Sequence, residues 1–197
     1  MLAFALAALG GCGGGATVHY YLIDPEPGPV LRSDGPLAIE ILDLEVPQYL
    51  ERVQLASRGS GNEIDYATSH QWSEPLRKTL ARVLAEHLIV VLATPEVATP
   101  HARLASTPQL RLQVHVDRFE RGSDGRVELR GRWQLTDAED GRVLATEAAR
   151  ITGDDRVGRG DYAALVASMQ RSFAEFAQRI ARSVAERAAG APPEAPG

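Results

Sequence analysis

One cysteine, five histidines and scattered carboxylates are the groups with which this chain could do chemistry. A metal site needs three or four ligands at set separations, and none of His19, His70, His87, His101 and His115 lies in an HExxH or cysteine-containing ligand pattern. His115 and Asp117 share one face of a strand-like run and could begin a metal site. No third ligand can be nominated, and a hydrated strand face accounts for both. A serine nucleophile is no better supported, because G-x-S-x-G is absent and Ser60 has no base nearby in sequence. The cluster Gly59-Ser60-Gly61-Asn62 also lacks the Lys-Ser/Thr and helix start of a phosphate loop. The acid pairs Glu139-Asp140 and Asp154-Asp155 fall in turn sequences, where charge is ordinary. No catalytic residue, metal ligand or bound cofactor is therefore assigned.

Cys12 stands apart. Leu2 to Leu9 form a short apolar segment that ends in Gly10 and Gly11, the order of an export signal with small residues before its cleavage point. Leu9-Gly10-Gly11-Cys12 resembles a lipobox, which implies diacylglyceryl transfer to the thiol, cleavage before Cys12 and acylation of the new amino group. Residues 1–11 are then a signal peptide and residues 12–17 a lipidated, glycine-rich tether. Each buried CH₂ contributes about 0.8 kcal/mol, and stable anchoring needs more than one chain, as a lipoprotein cysteine carries. The alternative makes Cys12 merely a small residue in a glycine-rich tail. Gly13, where some lipoproteins have an acid, resembles those sorted to the outer membrane. With a single cysteine no intramolecular disulfide forms, so the domain must be held by its core.

The elements that would position these groups follow from composition and period. The chain has 197 residues, 44% hydrophobic and 24% charged, which fits one globular domain with its own core. A net charge of -5 with arginines dispersed among acids argues against nucleic acid, which requires clustered cations. After Leu9 no apolar run approaches the roughly 20 residues of a spanning helix. Val18 to Ile23 and Leu37 to Leu44 read as strands, the first stopped by Pro25 and the second by Pro47. Val53 to Arg58 and Glu63 to Ala67 flank a glycine turn and read as a hairpin. Trp72, Leu76, Leu80, Val83, Leu84, His87, Leu88 and Val91 form a helical stripe, capped by Ser73 or Glu74 with Pro75 in the first turn. His87 on that stripe reads as a packed core or rim residue, and Pro95 to Pro108 as a loop. Leu110, Leu112, Val114, Val116 and Arg118 alternate with polar partners, and so do Val127 to Leu135. With Val143 to Ile151 they make a meander. Tyr162 to Arg187, capped by Asp161, forms a final helix about 39 Å long. Its stripe admits a coiled coil but favours packing across a sheet. The expected fold is α+β: a single domain over 18–187, with an antiparallel sheet, two helices on one of its faces, and a disordered tail at 188–197.

Three segments together carry a family resemblance: Tyr20-Tyr21-Leu22, Val46-Pro47-Gln48-Tyr49-Leu50-Glu51-Arg52, and His70-Gln71-Trp72-Ser73-Glu74-Pro75-Leu76. In that order and spacing the chain resembles the paraquat-inducible protein C (PqiC) family of ABC-transport auxiliary lipoproteins. Val53 departs from the proline the family often has after Arg52. The resemblance implies a lipoprotein without enzyme activity that faces the periplasm from the outer membrane. It would work with an MCE-domain bridge and an ABC permease and ATPase in phospholipid traffic, as a homo-oligomer. Tyr49, Leu50, Arg52 and His70 are large or charged groups in predicted loops and are candidates for a partner interface. Trp72, with Glu74, Pro75 and Leu76, reads as the structural start of the helix. The competing function is a stand-alone periplasmic module that captures a small apolar ligand.

Overall fold

Runs of β-branched and apolar residues between turn sequences become strands, and the two stripes of helical period become helices. The computed structural model describes residues 17–31, 37–100 and 102–189. Its elements are β1 (His19–Tyr21), β2 (Ile39–Glu45), β3 (Gln54–Arg58), β4 (Ile64–Trp72), α1 (Leu76–Val91), β5 (Val97–Ala98), β6 (Leu110–Arg121), β7 (Val127–Asp137), β8 (Val143–Thr152) and α2 (Tyr162–Ala189). Cys12, the signal segment, the tether up to residue 16, His101 and the tail from residue 190 lie outside the described residues. Residues 188 and 189, expected in the tail, belong to α2.

The strands form one eight-stranded sheet with β6 as its spine. Along one edge β6 pairs antiparallel with β7, and β7 with β8, which is the predicted meander. Its other edge is shared by β2, beside the first half, and β3, at the end. β5 lies outside β2, while β4 and then β1 extend the sheet from β3. The α+β fold is as expected, and the sheet is mostly antiparallel but mixed, because the shorter pairings β1–β4, β2–β5, β2–β6 and β3–β6 run parallel. Alternation with period 2 encodes which face a residue takes, not the direction of the neighbouring strand.

Both helices pack on the sheet, and the long stripe of α2 lies across it rather than in a coiled coil. Phe173 of α2 meets Phe119 of β6 at 6.2 Å, and Phe176 meets the Trp133 ring of β7 edge-on at 5.6 Å. α1 contributes Leu76, Leu80, Leu84 and Leu88, all at most 1% exposed. Burying side chains of this size stabilises the fold by about 1.5–3 kcal/mol each. Asp161 caps α2 as expected, its Oδ1 accepting the Ala164 N–H at 3.1 Å.

Two local readings change. Trp72 ends β4 instead of opening α1, and Pro75 is the N-cap, with no capping side chain from Ser73 or Glu74. The extended backbone of Pro75, at ψ 125°, lies outside the helix, so the apolar stripe starts at Leu76. In β6 a bulge between Val116 and Arg118 shifts the alternation. Phe119 then takes the helix side, and Arg118 turns outward with Glu120.

Candidate functional site

The three segments that carry the family resemblance are distant in sequence and meet at one corner of the sheet. Ser73 donates its N–H to the Tyr21 carbonyl at 2.9 Å, and Trp72 donates to the Val53 carbonyl at 2.7 Å. β1 is the edge strand here, with Tyr20 opposite Gln71. The His70 ring is sandwiched between His19, at 4.8 Å, and Tyr162 at the start of α2, at 4.0 Å. His70 Nδ1 also shares a 2.8 Å hydrogen bond with the Tyr21 hydroxyl. This stack fastens the edge strand to the sheet and to α2, so His70 acts as a positioning residue. Trp72 and Leu76 are core residues, 5% and 1% exposed. Glu74 accepts from the Thr79 hydroxyl at 3.0 Å and from Arg82 at 3.3 Å, steadying the first turns of α1.

Beside this corner a charged network crosses the face of the sheet away from the helices. Tyr49 lies in the 3-10 turn Gln48–Leu50 and donates its hydroxyl to Glu120 Oε2 at 2.7 Å. Glu120 is fully buried and also accepts from Arg58 Nε at 3.0 Å and from the Phe119 N–H at 3.1 Å. Arg118 Nε sits 2.8 Å from Glu120 Oε1 as an ion-pair contact, without hydrogen-bond alignment. Directly across the ladder, Glu128 holds Arg118 at 2.9 Å, Arg130 at 2.5 Å and Arg150 at 2.8 Å. Burial, reinforced by the bond to Glu120, pushes the Tyr49 hydroxyl above the usual phenol range. For Arg58, burial opposes the charge, but the hydrogen bond and charge attraction to Glu120, with Tyr49 adding to them, together outweigh it and its pKa is raised.

Leu50 is corrected from the interface set: it is 4% exposed, because the 3-10 turn tucks it into the core. Arg52 is exposed and lies over the Tyr66 ring at 4.7 Å, while the Tyr66 hydroxyl donates to the Tyr49 carbonyl at 3.2 Å. The four interface candidates thus divide into one surface group, Arg52, and three that are wholly or partly inside. His87 is buried, with Nε2 3.0 Å from Gln178 Oε1, as a core histidine would be. His115 lies 2.8 Å from Glu45, and Asp117 takes Arg132 at 2.6 Å, so each has its own partner. Among the described residues no group of three or more potential metal ligands converges. A cleft of ≈ 320 Å³ is lined by the charged side chains of Asp43, Glu74, Arg77, Lys78 and Arg82 together with Leu44, Ala81, Thr99 and Pro100. Reading the sequence missed Glu120, Glu128 and their arginines. Their only signal was the cluster of Arg and Glu near the end of β6 and the start of β7, which is ordinary on a strand surface.

A model of the ABC-type transport auxiliary lipoprotein component family matches residues 20–181. The chain belongs to this family. As an ABC-type transport auxiliary lipoprotein it is a membrane-anchored component of a transport system, in a family that is not one of enzymes. Its matched span covers the corner, the charged network and most of α2. Among solved structures, an uncharacterized protein is similar at 23% identity and TM-score 0.66, over 86% of this chain and 99% of that one. Protein XCC0632 from Xanthomonas campestris is similar at 15% identity and TM-score 0.68, over 87% of this chain and 96% of that one. At these identities the two structures support the fold alone. No curated protein matches the auxiliary lipoprotein. Among the described residues no helix is long and apolar enough to cross a membrane.

Proposed function

We propose that this lipoprotein is the PqiC-type component of an MCE-type ABC phospholipid-transport system. Cys12 carries the lipid and holds the domain at the periplasmic face of the outer membrane, after removal of residues 1–11. There a homo-oligomer of the chain docks the MCE-domain bridge, while the permease and ATPase supply the work elsewhere. The observation that carries this reading is the convergence of the three family-like segments on the corner that bears β1. That corner is where the tether enters the fold, and Tyr21, Val53 and Trp72 build it from three separate stretches of chain.

Affinity isolation of the tagged chain from envelopes solubilised in mild detergent tests the pathway. An MCE-domain protein and copies of the chain itself are expected in the eluate. Native mass spectrometry of the same sample should show an oligomer. A monomer carrying a stoichiometric lipid and no partner would replace the docking role with ligand capture. Palmitate labelling of the wild type and its loss in Cys12→Ala tests the anchor, and equal labelling of both would remove it.

A further inference from the structure

The sheet has one face covered by helices and one without, and the uncovered face is unevenly charged. Phe119, Trp133 and Glu147 point at α2, through Phe173, Phe176 and Ser183 respectively. The residues that alternate with them therefore project from the opposite face. On that face Arg118, Arg130 and Arg150 stand in one row across β6, β7 and β8, each directly opposite the next. Like charges so placed repel, and Glu128 alone is shared by all three guanidinium groups. With Arg58 and Arg52 the band holds five arginines against two carboxylates, Glu120 and Glu128, in a chain whose net charge is -5. Arg150 is 64% exposed and Arg130 45%, and each spends a guanidinium Nε on Glu128, leaving its outer nitrogens toward solvent.

At the far edge of the same half lies β1. Val18, Tyr20 and Leu22 alternate with His19, Tyr21 and Ile23, and they are 38%, 64% and 43% exposed. His19 and Tyr21 contact His70 on the helix side, so Tyr20 faces the other way. The acids Glu40 and Glu45 are on β2, in the other half of the sheet, with Arg111 on Glu40 and His115 on Glu45, while Asp43 of the same strand reaches Arg77 of α1.

We infer that the half of the uncovered face from β1 to β8 docks on an anionic phospholipid surface, with Tyr20 and its neighbours at the interface and the arginine band on the phosphates. Two observations select a bilayer as the occupant. Only five residues lie between Cys12 and Val18, six Cα steps that span at most about 20 Å when fully extended, so the apolar edge stays close to the anchored chains. The excess of guanidinium complements lipid phosphate, and tyrosine suits the headgroup level. Because the tether makes the contact intramolecular, weak individual interactions suffice to set the domain's orientation. The β2 acids lie away from this band and tilt that half off the lipid. Arg52 then faces lipid rather than the protein bridge.

The inference rests on the anchored reading proposed above, and one experiment separates the two. The wild-type lipidated chain is reconstituted into vesicles of phosphatidylcholine, alone or mixed with phosphatidylglycerol. Arginines are then modified with phenylglyoxal at low salt and read by mass spectrometry. Co-flotation with both vesicle types supports the anchor, and failure to float with either removes it. Modification of Arg130 and Arg150 should slow about fivefold or more on the anionic vesicles. Arg179, on the helix side, should be unchanged, and high salt should erase the difference. Tyr20→Ser should weaken the protection, and Arg150→Gln should weaken it at Arg130. Equal modification of Arg130 on both vesicle types overturns the inference while leaving the anchor standing. So does protection that arises only when the purified bridge protein is added, which would assign the band to a protein contact.

Discussion

Strand β6 serves two faces that are stabilised in opposite ways. On the helix side Phe119 packs on Phe173, which in turn packs on Phe176, and among the described residues the one polar link between α1 and α2 is the His87–Gln178 pair. One position further, on the other side, Glu120 is as fully buried as Phe119 but is enclosed by Tyr49, Arg58 and Arg118. The apolar face gains from removing surface from water. The polar face gains only while every member keeps its partner. A core of the first kind tolerates loss in proportion to the volume removed, whereas the second fails by leaving a charge stranded.

The sharpest test of the apolar side is Phe176→Ala, which removes a ring packed on both Trp133 and Phe173. It should cost about 3–5 kcal/mol in urea denaturation. Glu120→Ala should cost about 3 kcal/mol, because it strands Arg58 and leaves Arg118 with Glu128 alone in a partly buried site. If it costs under about 1 kcal/mol, water replaces the carboxylate and the two faces are not different in kind. Gly131→Ala comes next. An added Cβ would lie 2.7 Å from Phe176 Cζ and 2.9 Å from the His115 carbonyl oxygen, so a loss of about 1–3 kcal/mol is expected. Tyr49→Phe has the smallest effect, about 1.5 kcal/mol for a hydrogen bond to a charged acceptor.

Tyr49 also gives the comparison a pH signature. Its folded-state pKa is raised by burial and by Glu120, so the protonated phenol is favoured by folding. Its contribution is complete below the unfolded value of about 10 and is lost as pH rises toward the folded one. Denaturation curves collected above that value should show wild type losing stability relative to Tyr49→Phe. Parallel curves would show that the hydroxyl is not held as described.

The helix-covered face was legible in the sequence and the other was not. The stripe of α2, the Asp161 cap and the alternation of β6 and β7 each follow from a local period, and each is found. Trp72 was placed on the wrong element because a strand ending and a helix beginning four positions apart give one continuous apolar spacing. Leu50 looked like a loop residue because proline precedes it, yet a single 3-10 turn is enough to bury it. The parallel pairings depend on how distant segments return to the sheet, which no local pattern encodes. Glu120 was invisible for a further reason: the bulge before it moves Arg118 off the inward face that strict alternation assigned it. The same bulge carries Glu120, which strict alternation would also have turned inward, to the outer face, where Tyr49, Arg58 and Arg118 close over it. The family-like segments could be quoted from the sequence, but that they share a corner could not.

The short β1 strand has a mechanical consequence. Force applied to the chain ahead of β1 reaches the fold first at His19 to Tyr21, a strand paired with β4 along one edge. Pulled sideways, its bonds would open one after another. The His19–His70–Tyr162 ring stack instead clamps the strand laterally to α2, so the load spreads into the longest helix before the sheet can unzip.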